Sequence, residues 1–204
     1  CRAGPDSVVI TPPTFSFYKV AARIQGAGVL EVPLLRDGFA LDAGQVIAAG
    51  LRAKIVFLCS PNNPTGNLLD EVAMLRVCTE LAGKALVVVD EAYVEFCDRA
   101  SLTARLAEFS NLVILRTLSK AYALAGARLG TVIASEEIIG LLRRIIPPYA
   151  IPASTVEEVL ALTEAPQRAL SAARIRTLLD ERSRMHERLE RCANVARVFP
   201  SDAN

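Results

Sequence analysis

Ala85-Leu86-Val87-Val88-Val89-Asp90 stays apolar for five residues and then stops on a carboxylate. A short β-branched run without alternation reads as a strand buried on both faces, the pattern of a central strand in a parallel sheet. Residues 54–59 and 111–116 repeat it on either side in sequence, and residues 8–10, 29–35 and 130–134 read as further strands. Helical spacing fills the intervals. Residues 15–26 bring Phe17, Val20, Ala21 and Ile24 to one stripe, residues 42–51 form a second helix, and residues 136–146 another. Residues 70–82 set Val72, Leu75 and Leu81 on an apolar stripe, with Asp70 placed as N-cap. Strands that alternate with helices of this length predict a three-layer α/β/α sandwich around a mainly parallel sheet.

Pro147-Pro148-Tyr149-Ala150-Ile151-Pro152 breaks the rhythm, since three prolines in six residues cannot continue a helix. The chain beyond it is helical and more charged. Over residues 168–192, Ile175, Leu178, Met185, Leu189 and Cys192 form one stripe and arginines crowd the rest, which reads as a solvated face. Residues 195–199 read as a strand with no partner in sequence. The chain starts on Cys1 rather than methionine, with a strand almost at once, so the reading expects a segment of a longer polypeptide.

Composition narrows the function. The 204 residues carry a net charge of +1 with both signs interspersed, which gives no electrostatic footprint for nucleic acid or an anionic membrane. No run approaches the roughly 18 apolar residues of a membrane-spanning helix, and no targeting segment is visible. Five cysteines without a CxxC pair read as reduced core thiols of a cytoplasmic protein. The one histidine, His186, lies in a charged helical stretch, where it reads as a solvated residue. A zinc site built from several histidines is excluded, and a Ser–His–Asp mechanism would rest on that residue alone.

Ligands of α/β sheets sit outside the carboxyl ends of the strands. Four such ends stand out: Pro12-Pro13-Thr14-Phe15, Ser60-Pro61-Asn62-Asn63-Pro64-Thr65-Gly66, Asp90-Glu91-Ala92-Tyr93 and Thr117-Leu118-Ser119-Lys120. Asp90 closes an apolar strand and needs a cationic or hydrogen-bonding partner there. Thr117, Ser119 and Arg128 suit a phosphate, because guanidinium offers its oxygens a bidentate fork. A lysine beside a phosphate site (Lys120), a carboxylate for a heterocyclic nitrogen (Asp90) and an aromatic to cover a ring (Phe15) together describe a pyridoxal phosphate pocket. Taken singly, each has a plainer reading: Asn63-Pro64-Thr65-Gly66 as a tight turn, Asp90 as a helix cap, Lys120 as a surface cation.

Cys59 to Gly66, Val89 to Phe96, and Arg116-Thr117-Leu118-Ser119-Lys120 with its continuation to Gly130 resemble the histidinol-phosphate aminotransferases, a family of fold-type I pyridoxal phosphate enzymes. The resemblance runs over essentially the whole chain. It implies that Lys120 anchors the cofactor covalently and that Asp90 pairs with its pyridinium nitrogen. It further implies that Asn63 and Tyr93 bond the ring 3′-oxygen, that Phe15 stacks on the ring, and that Thr117, Ser119 and Arg128 hold the phosphate. Residues 1–146 would then be the cofactor-binding large domain. Residues 147–204 would be a linker, a long helix and the start of a smaller α+β domain. The implied reaction moves an amino group between L-histidinol phosphate and 2-oxoglutarate, giving glutamate, in a homodimer. An upstream segment that cradles the phosphate and a downstream arginine for the substrate carboxylate belong to the family but not to these residues, so the segment alone is expected to turn over poorly. Rival readings are an aromatic aminotransferase, a threonine-phosphate decarboxylase, or a domain that keeps the fold without turnover.

Overall fold

The computed structural model describes residues 1–162 and 164–204. Its centre is a six-stranded sheet in the order β2-β1-β3-β4-β5-β6. The strands are β1 (Ser7–Ile10), β2 (Gly28–Glu31), β3 (Ile55–Cys59), β4 (Leu86–Asp90), β5 (Leu112–Thr117) and β6 (Gly130–Ala134). The first five run parallel, and β6 returns antiparallel along β5. Helices α1 (Phe17–Ile24), α2 (Ala43–Gly50) and α3 (Glu71–Glu80) connect the first four strands. Helix α4 (Glu136–Arg143) follows β6, and α5 (Ala153–Leu162) and α6 (Ala165–Glu190) lie beyond the proline-rich break.

The pleat divides the apolar strand residues between two layers, because successive side chains point to opposite faces. Val9, Val56, Leu58, Val87, Val89, Leu112 and Ile114 meet α2 and α3 on one face, around the fully buried Met74, Val77, Cys78 and Leu81. Val8, Ile10 and Cys59 meet Tyr18 and Ala22 of α1 on the other. Helices α2 and α3 start where short acidic side chains cap them: Asp42 accepts from the Gln45 N–H at 3.0 Å and Asp70 from the Ala73 N–H at 2.7 Å. A cap of this kind contributes about 1 kcal/mol. Among the described residues, no helix is long and apolar enough to cross a membrane.

Several sequence expectations change. The stripe expected to bury α1 faces outward, with Phe17 55% and Ile24 78% exposed, while Tyr18 and Ala22 are buried. The Tyr18 ring stacks on Phe57 of β3 with centroids 4.8 Å apart and its hydroxyl reaches Asp90, and these two contacts fix the helix's rotation. Val72 likewise points to solvent, because Met74, Val77, Cys78 and Leu81 supply the spacing of three and four that α3 buries. Residues 195–199 form no strand; Phe199 instead packs on Phe39 at 4.9 Å, with the Arg197 guanidinium 4.3 Å from its ring. Strand β2 also ends early, at Glu31, although the Val32 and Leu34 N–H groups still donate to the Ile10 and Pro12 carbonyls at 3.0 and 2.8 Å. The cysteines are all free, and only Cys59 and Cys78 lie in the core.

Leu58→Ala removes a side chain with no solvent exposure from the middle of the larger core layer. Urea unfolding should show a loss of about 2–5 kcal/mol. Val72→Ala, on the outward face of α3, should stay within about 0.5 kcal/mol of the parent.

Candidate active site

Strand β1 lies between β2 and β3, so the chain order reverses there and opens a crevice at the carboxyl edge of the sheet. The four segments singled out in sequence all leave that edge, after β1, β3, β4 and β5. The β-ladder sets Cys59 opposite Asp90, and Asp90 opposite Leu115, so β3 and β4 end level and β5 runs two residues further, to Thr117.

Asp90 receives two hydrogen bonds. The Tyr18 hydroxyl donates to its Oδ2 at 2.6 Å and the Ala92 N–H to its Oδ1 at 3.0 Å. The partner that the sequence left open is thus a neutral phenol, and among the described residues no cation pairs with the carboxylate. Burial, followed by the neighbouring Cys59 and Asp90, holds the Tyr18 hydroxyl far above the usual tyrosine range, so it stays a donor. Burial and then Asp90 push the Cys59 thiol up to about 11. Phe15 meets Tyr18 edge-on, centroids 5.4 Å apart, and is 41% exposed, which places it one ring away from Asp90. Tyr18 carried a signal in sequence: it is the one aromatic of α1 with a polar tip, set between Phe17 and Lys19.

The turn after β3 separates two asparagines. Asn62 is buried and ties its own turn to the segment after β1, accepting from Thr14 Oγ1 at 2.9 Å and donating to the Pro13 carbonyl at 2.8 Å and Thr65 Oγ1 at 2.6 Å. Asn63 is left half-buried and lines a cleft of about 310 Å³ together with Tyr93. Lys120 is exposed and forms no ion pair among the described residues; its Nζ lies 5.3 Å from the centroid of that same Tyr93 ring. Tyr93 therefore joins the Asn63 turn to the lysine loop.

Thr117 and Ser119 lie hydroxyl to hydroxyl at 2.9 Å, and the Ser119 N–H donates to Thr117 Oγ1 at 3.1 Å. Residues 118–129 curl back over them, so that Thr117 Oγ1 also reaches the Leu129 carbonyl at 3.4 Å. Two non-glycine residues in this loop adopt left-handed backbone, Ala123 at φ 56° and Arg128 at φ 53°. Each costs about 1–3 kcal/mol, strain of the kind that collects at ligand clamps. The Arg128 guanidinium donates to the Ala125 carbonyl of its own loop at 2.7 Å, and Arg128 makes no direct contact with the two hydroxyls.

Beneath the site, Glu91 is 3% exposed and accepts from Ser101 Oγ at 2.5 Å and the Leu102 N–H at 2.7 Å. Arg116, next to Thr117, pairs with Glu95 at 2.6 Å and reaches Glu91 at 3.7 Å. This triad, with Glu91 buried and Glu95 and Arg116 half-buried, links the ends of β4 and β5, and the sequence reading did not identify it.

Tyr18→Phe removes the donor to Asp90 Oδ2 and should cost about 1–3 kcal/mol at neutral pH. The folded state holds the Tyr18 proton above the ordinary tyrosine value of 10.0, so this contribution is complete below that pH and is lost as pH rises beyond it. Urea unfolding from neutral to alkaline pH should therefore show a shallower alkaline decline for Tyr18→Phe than for the parent.

The chain matches the aminotransferase class I and II family over residues 1–204. It is 45% identical over its whole length to a histidinol-phosphate aminotransferase of Xanthomonas euvesicatoria and 46% identical to one of Stenotrophomonas maltophilia, and it spans 57% of the length of each. The solved histidinol-phosphate aminotransferase of Clostridium acetobutylicum superimposes with a TM-score of 0.87 at 25% identity, covering 98% of this chain and 60% of that one. The L-threonine-O-3-phosphate decarboxylase of Porphyromonas gingivalis does so with a TM-score of 0.80 at 25% identity, covering 97% and 58%. The family model's match over the whole chain gives one conclusion: this chain belongs to the class I and II aminotransferases.

Proposed function

We propose that the chain forms the cofactor side of a pyridoxal phosphate-dependent aminotransferase that moves an amino group between L-histidinol phosphate and 2-oxoglutarate, giving imidazole acetol phosphate and glutamate in histidine biosynthesis. The carrying observation is that Lys120 Nζ and Asp90 leave neighbouring strand ends with Tyr93 beside the amine and Tyr18 behind the carboxylate. In this reading residues 1–146 are the cofactor-binding unit, residues 147–204 a linker, long helix and start of a second unit, and the working enzyme a cytoplasmic homodimer.

The donor set fits that cofactor. Asp90 is half-buried, takes both of its hydrogen bonds from neutral donors and is paired with no protein cation, which suits a protonated ring nitrogen. Thr117 and Ser119 satisfy each other at present and can turn their hydroxyls to phosphate oxygens, with Arg128 supplying charge from the same loop. Phe15 covers a ring face, and Asn63 and Tyr93 serve the ring oxygen from the cleft they share. When bound, pyridoxal phosphate supplies a conjugated electron sink that makes the substrate's Cα–H acidic.

The chain's own residues do the rest. Asp90 holds a proton on the ring nitrogen, and Tyr18 and the Ala92 N–H hold Asp90. Lys120 would hold the cofactor, and its amine, when free, would accept the proton from the substrate's Cα. A positioned base of this kind contributes about 10²–10⁴ in rate.

The decarboxylase likeness supplies the specific second reading, action on a phosphorylated amino acid such as threonine phosphate. Assay of the full-length protein against both donors and phenylalanine separates these readings: histidinol phosphate should give the highest kcat/KM, and a preference for threonine phosphate with release of carbon dioxide would overturn the first. Pyridoxal phosphate should give a visible absorption band, lost in Lys120→Ala along with at least about 10²-fold of turnover. Asp90→Asn should keep the band and lose turnover; near-normal turnover would overturn the role given to Asp90.

A further inference from the structure

The segment that the sequence expected to be a strand leads instead to a strap across the candidate site. Ser201, Ala203 and Asn204 line the same cleft as Asn63 and Tyr93. The strap is seated by backbone and side-chain bonds that its residues make to the Asn63 turn. Asp202 and Ala203 N–H groups donate to the Gly66 carbonyl at 2.8 and 3.2 Å, and Asp202 Oδ2 accepts from the Leu68 N–H at 2.8 Å. Gly66 is what allows this approach: it sits at φ 75°, and a Cβ there would strike the Ser201 hydroxyl and lie 3.0 Å from its Cβ. The other side of the strap is tied to the Tyr93 turn. Arg182 of α6 donates through one nitrogen to the Ala203 carbonyl at 2.6 Å and to the carbonyl of Phe96, three residues after Tyr93, at 3.1 Å.

Resting on the function proposed above, we propose that Asp202 and Arg182 are positioning residues that set the relation between Asn63 and Tyr93 and hence the hydrogen bonding of the cofactor's ring oxygen. Neither side chain lines the cleft that Asn63 and Tyr93 share. The turns that carry Asn63 and Tyr93 leave different strands, β3 and β4; the strap bonds the first directly and reaches the second only through Arg182. Asp202 fixes the strap to the first turn, and Arg182 fixes the strap and the second turn to a rigid helix. Donors to a ring oxygen draw off its negative charge, so a misplaced pair leaves more charge on it and holds the neighbouring proton more tightly.

The test uses full-length protein loaded with pyridoxal phosphate and follows the pH midpoint of the visible absorption change, cofactor affinity, kcat and KM, and thermal unfolding. Asp202→Ala and Arg182→Met should each move the midpoint upward and lower kcat about tenfold or more, with a smaller change in KM. Asp202→Asn keeps an oxygen that accepts from Leu68 N–H and should restore the parent's midpoint. Should both Asp202→Ala and Arg182→Met keep the midpoint and kcat while lowering only the unfolding temperature, the strap is structural and the inference is wrong. If Asp202→Ala fails to fold, Arg182→Met decides alone. A parent protein that shows no visible band on addition of pyridoxal phosphate overturns the underlying cofactor reading, an outcome distinct from a normal parent with silent variants.

Discussion

A carboxylate at the end of an apolar strand has to be paid for, and Tyr18 is how this fold does it. The hydrogen bond from its hydroxyl to Asp90, 2.6 Å long, spans 72 residues of sequence and joins α1 to β4 across the end of the sheet. The surrounding packing follows from it. Tyr18 must face the sheet, so its ring stacks on Phe57, the apolar stripe of α1 turns outward, and Phe15 is left leaning over the same spot. A neutral donor serves this position better than a cation would. It stabilises the charge on Asp90 while leaving the carboxylate able to attract a cationic partner of its own.

Around that point, each strand end is held by a device that frees a neighbouring residue for chemistry. Asn62 spends its amide on the Thr14 and Thr65 segments, and Asn63 is left facing the cleft. Glu91 and Glu95 hold Arg116, and Thr117 and Lys120 extend beyond it. The left-handed residues Ala123 and Arg128 bend the lysine loop back over Thr117. At β3 the split falls on adjacent residues, with Asn62 held by hydrogen bonds and Asn63 lining the cleft. Rigid strands position the site, and loops satisfied by their own hydrogen bonds present it.

Much of this was legible in sequence because it rests on local rules. Uniform apolar runs marked the central strands, Asp70 announced its helix, and carboxyl ends of strands pointed to the site before any contact was known. What escaped the sequence depended on partners far along the chain. Periodicity gave α1 an apolar stripe but not its direction, since that is chosen by Asp90 seventy-two residues away. Val195 to Phe199 has strand composition, yet its neighbours are the Phe39 ring and helix α6, which offer no ladder to pair with. Asn62 and Asn63 are the same residue type in sequence and differ only in what surrounds them. Arg182 sits in a helix whose many arginines gave no reason to single it out.

The central claim is that Lys120 and Asp90 serve opposite ends of one bound ring. A crystal structure of the full-length protein grown with pyridoxal phosphate tests it most directly. The account predicts electron density continuous from Lys120 Nζ into the cofactor, with the ring nitrogen at hydrogen-bonding distance from Asp90 and Tyr18 still donating to that carboxylate. A cofactor bound elsewhere, or a ring whose nitrogen faces a group other than Asp90, would contradict it.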